Sequence, residues 1–335
     1  MGRLFAVAAC MIAGGCYSAR AFPGAPCTAE GDCPEGLTCV ADRCDLPANA
    51  QADAQDQQSS DGAMMMSADA RGAPGPNGWY AATAVPGVNT ASNESDPSYT
   101  DDELTIVFTS DRAGGTGGLD LYMGTRAAAT DSFSVRELTE LNSTANDQSP
   151  EISSDGLTIY FSTTRSGNNA LIYKATRANT SVPFGTPAED NGLSKSMAGQ
   201  TQDSIQIGVG SSMTATIAIV VQVRNGTNHA EGYDRTSATA AWVDEEDLDS
   251  QPKGTLLPSD VGGPSLLPDG SVIYYDSGTP AQIYMTTYDE TSDTLGAPVA
   301  ITELDVGARD AAPEINAGGS HLVFERNGDL YEATK

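Results

Sequence analysis

Four stretches of this chain, residues 97–108, 150–161, 264–275 and 313–324, align on one another without a gap. Repetition at this spacing means one supersecondary unit stacked on copies of itself, so the unit decides the fold. Each stretch opens with Pro (Pro97, Pro150, Pro264, Pro313), which is expected at a strand start, where its missing N–H costs little. A turn pair follows: Asp155-Gly156 and Asp269-Gly270, with Gly318-Gly319 in the last unit. The next run is apolar on both faces, with Ile159 and Phe161 on one and Tyr160 on the other. A strand buried on both sides belongs in a sheet sandwiched between neighbours. Third strands begin at Leu121-Tyr122, Ile172-Tyr173, Ile283-Tyr284 and Leu330-Tyr331, and fourth strands open near Phe133, Phe184 and Leu295.

The space between Phe184 and Pro264 holds one more unit, without the Pro and Asp-Gly marks. Residues 204–223, rich in Ile, Val and Thr, are its expected core, followed by residues 238–243. The last unit ends after its third strand, and a spare strand lies at the other end. Trp79 precedes Pro97 by 18 residues, as Leu295 precedes Pro313, so residues 79–85 are expected to complete the final sheet. Closure of that kind removes exposed sheet edges. The stretch Ser110-Asp111-Arg112-Ala113-Gly114-Gly115, then Leu119-Asp120-Leu121-Tyr122, resembles the WD40-like (PD40) repeats of TolB-type propellers. The resemblance implies an all-β fold, a five-bladed β-propeller of four-stranded blades over residues 78–335. It does not imply one activity, because propellers serve binding proteins and enzymes alike.

The N-terminus reads as an address. Residues 1–15 form a signal, with Arg3 as its positive region and an apolar run from Leu4 to Ala13 about half the length that spans a bilayer. Ala13-Gly14-Gly15-Cys16 resembles the lipobox of bacterial lipoproteins, although Ala13 stands where Leu or Val is usual. That resemblance implies cleavage before Cys16, lipidation of its thiol and an anchor segment over residues 16–26; the competing reading is an ordinary signal with a soluble product. Cys27, Cys33, Cys39 and Cys44 then fall within residues 27–44. An even count, tight spacing and an export signal predict a small disulfide module, with three pairings open. The gaps are too long for zinc and no His is near. Residues 45–77 lack aromatics and are rich in Ala, Gln, Asp, Ser, Gly and Pro, the composition of a disordered tether.

Asp and Glu number 45 against 17 Lys and Arg, a formal net charge of -28. Such a surface repels phosphate backbones, so nucleic acid is not the expected partner. No P-loop, Gly-x-Ser-x-Gly elbow or His-Glu-x-x-His motif is present, so no catalytic residue, metal or cofactor is assigned. Asp96, Glu151 and Glu314 lie beside equivalent prolines and are candidates for the mouth of the central channel, although solvated charges at strand ends are the favoured reading. Arg112 and Arg165, also candidates there, are expected to hold a carboxylate of a neighbouring blade rather than of a ligand. Asp120 and Asp329 are expected to cap loop turns, His321 to be structural, and His229 to lie in a loop. The leading reading is a monomeric lipoprotein of a Gram-negative envelope, expected at the outer membrane, since Tyr17 rather than Asp follows Cys16. Only the lipid would touch the outer membrane, on its periplasmic or surface face, and the propeller would bind an envelope protein or glycan. The alternatives are a polysaccharide-acting glycoside hydrolase using Glu151 and Glu314, and a structural envelope protein without a ligand.

Overall fold

The computed structural model describes residues 38–40, 43–45 and 73–335, apart from 168, 195–201, 210–216, 225–226, 236, 238–239, 248–256 and 290–293. The signal, Cys16, the anchor segment, Cys27, Cys33 and residues 46–72 of the tether lie outside the described residues. In the N-terminal unit, β1 (Thr38–Val40) and β2 (Arg43–Asp45) pair antiparallel, which places Cys39 opposite Cys44 in register.

The C-terminal unit is all-β, with no helix among the described residues and none long and apolar enough to cross a membrane. After β3 (Thr83–Ala84), sheet 1 contains β4 (Glu94–Tyr99), β5 (Thr105–Ser110), β6 (Asp120–Thr125) and β7 (Ser134–Glu137). Sheet 2 contains β8 (Asp147–Ile152), β9 (Thr158–Thr163), β10 (Leu171–Thr176) and β11 (Ala188–Glu189). Sheet 3 contains β12 (Gln202–Val209), β13 (Ile217–Arg224), β14 (Thr227–Asp234) and β15 (Val243–Asp247). Sheet 4 contains β16 (Gly262–Leu266), β17 (Val272–Ser277) and β18 (Gln282–Asp289), whose outer edge pairs with both β19 (Thr294–Leu295) and β20 (Val299–Ala300). Sheet 5 contains β21 (Asp310–Ile315), β22 (His321–Arg326) and β23 (Asp329–Thr334), with β3 as its fourth strand. The arrangement is propeller-like. The first strands of the sheets lie side by side in the order β4, β8, β12, β16, β21 and back to β4.

Alternation along the second strand of each sheet explains the stacking. Ile159 and Phe161 join Val107, Leu121 and Met123 in a core between sheets 1 and 2. Tyr160, on the opposite face, joins Ala218, Val220 and Tyr233 between sheets 2 and 3. The pattern continues to the seam of sheets 5 and 1, where Val323, Leu330 and Val85 meet Tyr99, Ile106 and Phe108. A cation at the end of the third strand covers the aromatic that opens the fourth. Arg126 lies 4.3 Å over Phe133, Arg177 4.5 Å over Phe184 and Arg235 4.0 Å over Trp242. Lys335 lies 4.8 Å over Trp79, so the spare N-terminal strand completes sheet 5 as its spacing predicts. Asn77, at the end of the expected tether, already hydrogen-bonds Glu303 through its backbone N (2.9 Å) and Nδ2 (2.7 Å).

Three local expectations are corrected. The prolines do not start their strands; Pro97 is the fourth residue of β4, and its counterparts are equally internal. A register shift interrupts each of these strands at that point, and a bulge removes the ladder bond that proline cannot make. In sheet 3, residues 204–223 cover parts of β12 and β13, while β14 was not foreseen. Its sequence, Thr-Asn-His-Ala-Glu-Gly-Tyr-Asp, has no apolar run to betray it. His229 therefore lies in β14, opposite Gln222, and not in a loop.

Candidate functional site

The bulges turn one residue pair from each of four sheets into a small, open hollow. Its wall is Asp96-Pro97, Ser149-Pro150, Gly263-Pro264 and Ala312-Pro313, followed by Glu151 and Glu314. The residue before each proline has a left-handed backbone: φ is 48° at Asp96, 50° at Ser149, 48° at Gly263 and 48° at Ala312. A left-handed residue followed by proline is the local device that swings both side chains toward the axis. The three acids singled out in the sequence, Asp96, Glu151 and Glu314, thus line one cavity.

Their surroundings differ. Asp96 accepts hydrogen bonds from the hydroxyls of Ser95 and Thr109, both at 3.2 Å. Glu151 is buried and stands opposite Tyr160 in the ladder. Glu314 is buried and hydrogen-bonded to Ser98 Oγ (3.5 Å) and to Ser265. Burial pushes its carboxyl up to about 8, with the serine hydrogen bonds opposing and Asp101 adding to the rise. Each serine also accepts a backbone N–H: Ser98 from Ile152 of sheet 2 at 3.1 Å, Ser265 from Ile315 of sheet 5 at 3.0 Å. Ile152, Ser98, Glu314, Ser265 and Ile315 thereby form a polar brace across sheets 2, 1, 5 and 4. A second brace caps the bulges. Ser149 N donates to Thr109 Oγ1 (2.9 Å), and Ala312 N donates to Asp276 Oδ2 (2.9 Å). Burial raises Asp276 to about 6 against that hydrogen bond.

The sequence reading missed Ser98, Ser265, Thr109 and Asp276, although the frame carried a signal for each. The residue after proline runs Ser98, Glu151, Ser265, Glu314; the residue after the second-strand aromatic runs Thr109, Ser162, Asp276, Glu325. In these two series Ser98, Ser265, Glu314, Thr109 and Asp276 bond to a neighbouring sheet, whereas Ser162 Oγ is buried without a partner and Glu325 pairs with Arg309 of its own sheet.

Arg112 and Arg165 do not line the hollow, and each clips a carboxylate of its own sheet rather than of a neighbouring one. Arg112 Nη2 meets Glu94 Oε1 at 3.0 Å, and Arg165 Nη2 meets Asp147 Oδ1 at 2.6 Å, with both carboxylates fully buried. The same guanidinium reaches a loop carbonyl, Val88 O for Arg112 and Leu141 O for Arg165, and lies over two rings. Arg326 repeats the clip on Asp310 in sheet 5. Asp120 accepts two bonds from Gly117 N (3.0 Å each) and caps its loop as expected. Among the described residues no group of three His, Cys, Asp or Glu is placed to hold a metal.

Glu314 makes a measurable prediction. Its unfolded carboxyl ionises near 4.5, whereas the folded one keeps its proton to about 8, so stability falls between those values and levels off above them. Glu314→Gln, which never ionises, is expected to flatten that slope, so that the variant gains stability relative to the parent as pH rises from about 4.5 toward about 8. Urea denaturation across this range checks it, and parallel curves for the two proteins would count against a neutral Glu314.

No protein-family model matches the sequence, and no curated protein matches it. Solved structures similar to it include a putative TolB from Agrobacterium tumefaciens, with a TM-score of 0.43, 17% identity, and 71% of each chain covered. TolB from Acinetobacter baumannii gives 0.45 and 14%, covering 74% of this chain and 56% of that one. An α-L-arabinofuranosidase from Podospora anserina gives 0.47 and 12%, covering 76% and 96%.

Proposed function

We propose that the five sheets close into a five-bladed propeller, carried on an exported envelope protein anchored through lipid on Cys16, and that this propeller is a binding scaffold. A disulfide module of Cys27, Cys33, Cys39 and Cys44 and a tether lie between anchor and propeller. The partner is an envelope protein or glycan, docked where loops gather at one end of the ring. The observation that carries the reading is the employment of the axial polar groups. Glu314, Ser98, Ser265, Thr109 and Asp276 are committed to bonds that join neighbouring sheets, as in a body built for rigidity. A rigid ring presents its loops in fixed positions, which lowers the ordering cost of binding. A strongly acidic chain, 45 acids to 17 bases, favours a partner with basic groups at the contact.

One observation favours a second reading. Glu314 holds its proton at neutral pH and shares a hollow with Glu151, the pairing of a neutral acid with a second carboxyl used to break glycosidic bonds. A pull-down from solubilised envelopes with the full chain as bait separates the readings. A stoichiometric protein or an intact glycan in the eluate is the expected result. Glycan shortened by the parent but not by Glu314→Gln or Glu151→Gln would replace the scaffold with the hydrolase. An empty eluate would leave the structural role.

A further inference from the structure

The seam between sheets 5 and 1 carries a buried charge cluster that the function above does not use. His321 opens β22 and is 8% exposed as a side chain. Its Nδ1 lies 2.7 Å from Glu103 Oε2, in the turn that joins β4 to β5 of sheet 1. Its Nε2 lies 3.1 Å from Glu332 Oε2, on β23 of its own sheet. A neutral imidazole has one N–H and one lone pair, so two facing carboxylates call for the doubly protonated ring. The other groups around it agree. Asn316 Nδ2, from the β21–β22 turn, donates to Glu103 Oε1 at 2.8 Å. Tyr99, on β4, points its hydroxyl at Glu332 (3.5 Å) and its ring at the imidazole, 5.5 Å between centroids. Arg126, after β6, donates from Nε to the Glu103 backbone carbonyl at 2.8 Å, and its charge also favours the Glu103 carboxylate. Burial works against a charge on His321, but the bonds to Glu103 and then Glu332 outweigh it and hold the imidazole up to about 9. Glu103 is correspondingly held below its ordinary value despite its own burial.

The place matters as much as the charge. Sheet 5 is assembled from chain segments more than two hundred residues apart: its outer strand pairs with β23 at Tyr331–Ala84 and Glu332–Thr83, flanked by backbone bonds from Tyr80 N to Thr334 O and from Val85 N to Leu330 O. Glu332 belongs to both arrangements: its backbone faces β3 and its carboxylate faces His321. The clips of Arg112, Arg165 and Arg326 each close within one sheet, whereas His321–Glu103 reaches from the last sheet to the first.

We propose that His321, paired with Glu103 and Glu332, is a cationic latch across this seam, and that withdrawing its proton loosens the seam of sheets 5 and 1 before any other. The sign follows from the shift. The latch is fully present below the unfolded value near 6.5 and is lost as pH rises through about 9. Between those limits the folded-to-unfolded ratio falls by up to about tenfold per pH unit through this group alone.

The chain has two histidines, so its imidazole NMR signals are few enough to assign with one variant. In the full chain the His321 signal is expected to titrate at least one unit above an ordinary imidazole, and Glu332→Gln to lower it. Hydrogen exchange at one fixed, near-neutral pH is then compared between the parent and His321→Gln. Exchange is expected to rise about tenfold in β3, in β21 to β23 and in the turn at Glu103, and to stay unchanged in sheets 2 to 4. If His321→Gln does not fold, Glu103→Gln takes its place, since it removes the cross-seam partner and keeps the imidazole. An imidazole titrating near 6.5, or exchange rising equally in all sheets or in none, overturns the latch.

Discussion

Gly263→Ala is expected to lower stability by about 4 kcal/mol, the upper range for strain and overpacking at a fixed backbone. A Cβ built on Gly263 would sit 2.3 Å from Ala312 Cα, 2.9 Å from Ala312 N and 2.9 Å from Asp276 Oδ2. The first two are backbone atoms of the neighbouring sheet and have no rotamer to escape into. Its φ of 48° adds the left-handed penalty of about 1 kcal/mol for any side chain. Asp96, Ser149 and Ala312 hold almost the same φ with a Cβ. What forbids a side chain at Gly263 is therefore the close approach of sheets 4 and 5. Ala312→Gly is the companion measurement: it relieves the left-handed strain at the neighbouring bulge and is expected to be neutral or mildly stabilising. Urea midpoints of both variants decide the matter. A loss under about 1 kcal/mol for Gly263→Ala would mean that the two sheets slide apart at little cost.

Arg165→Ala is expected to cost about 3 kcal/mol, because it strands a buried charge as well as removing a contact. The Asp147 carboxylate is fully buried 2.6 Å from the guanidinium and would lose its cation. Leu141 O would lose its donor, and the rings of Phe161 and Tyr173 their cover. Arg165→Lys is expected to recover only part of the loss. An ammonium restores the charge but cannot span Thr163, Leu141 and Asp147 while lying flat on two rings. Asp147→Asn with Arg165→Met removes both charges and is expected to be better than Arg165→Ala alone. Equal stability of the parent and Arg165→Ala would show the pair to be no more than a solvated surface bridge.

The candidate site was legible in part, for a reason visible in the repeat. Glu151 and Glu314 follow equivalent prolines, and equivalent positions of stacked units converge by symmetry, so their shared cavity could be anticipated. Arg112 and Arg165 recur just as regularly, yet they serve their own sheets. Recurrence says that a residue does the same thing in every sheet; it does not say whether that thing faces the axis. Trp242 could have located the outer edge of sheet 3. It stands seven residues after Arg235, as Phe133 does after Arg126 and Phe184 after Arg177.

What the sequence determined by itself was the strand-level order. Two-faced apolar runs, Asp-Gly turns and the stray strand at Trp79 follow from side-chain period and turn chemistry, which act over a few residues. The tertiary structure alone decided the bulges that move proline inside its strand, the neutral state of Glu314 and the charged state of His321. Each of these depends on atoms from another sheet: Ala312 against Gly263, Ser98 and Ser265 around Glu314, Glu103 beside His321. Desolvation and charge pairing act through space, and residues 103 and 321 become neighbours only when the last sheet meets the first.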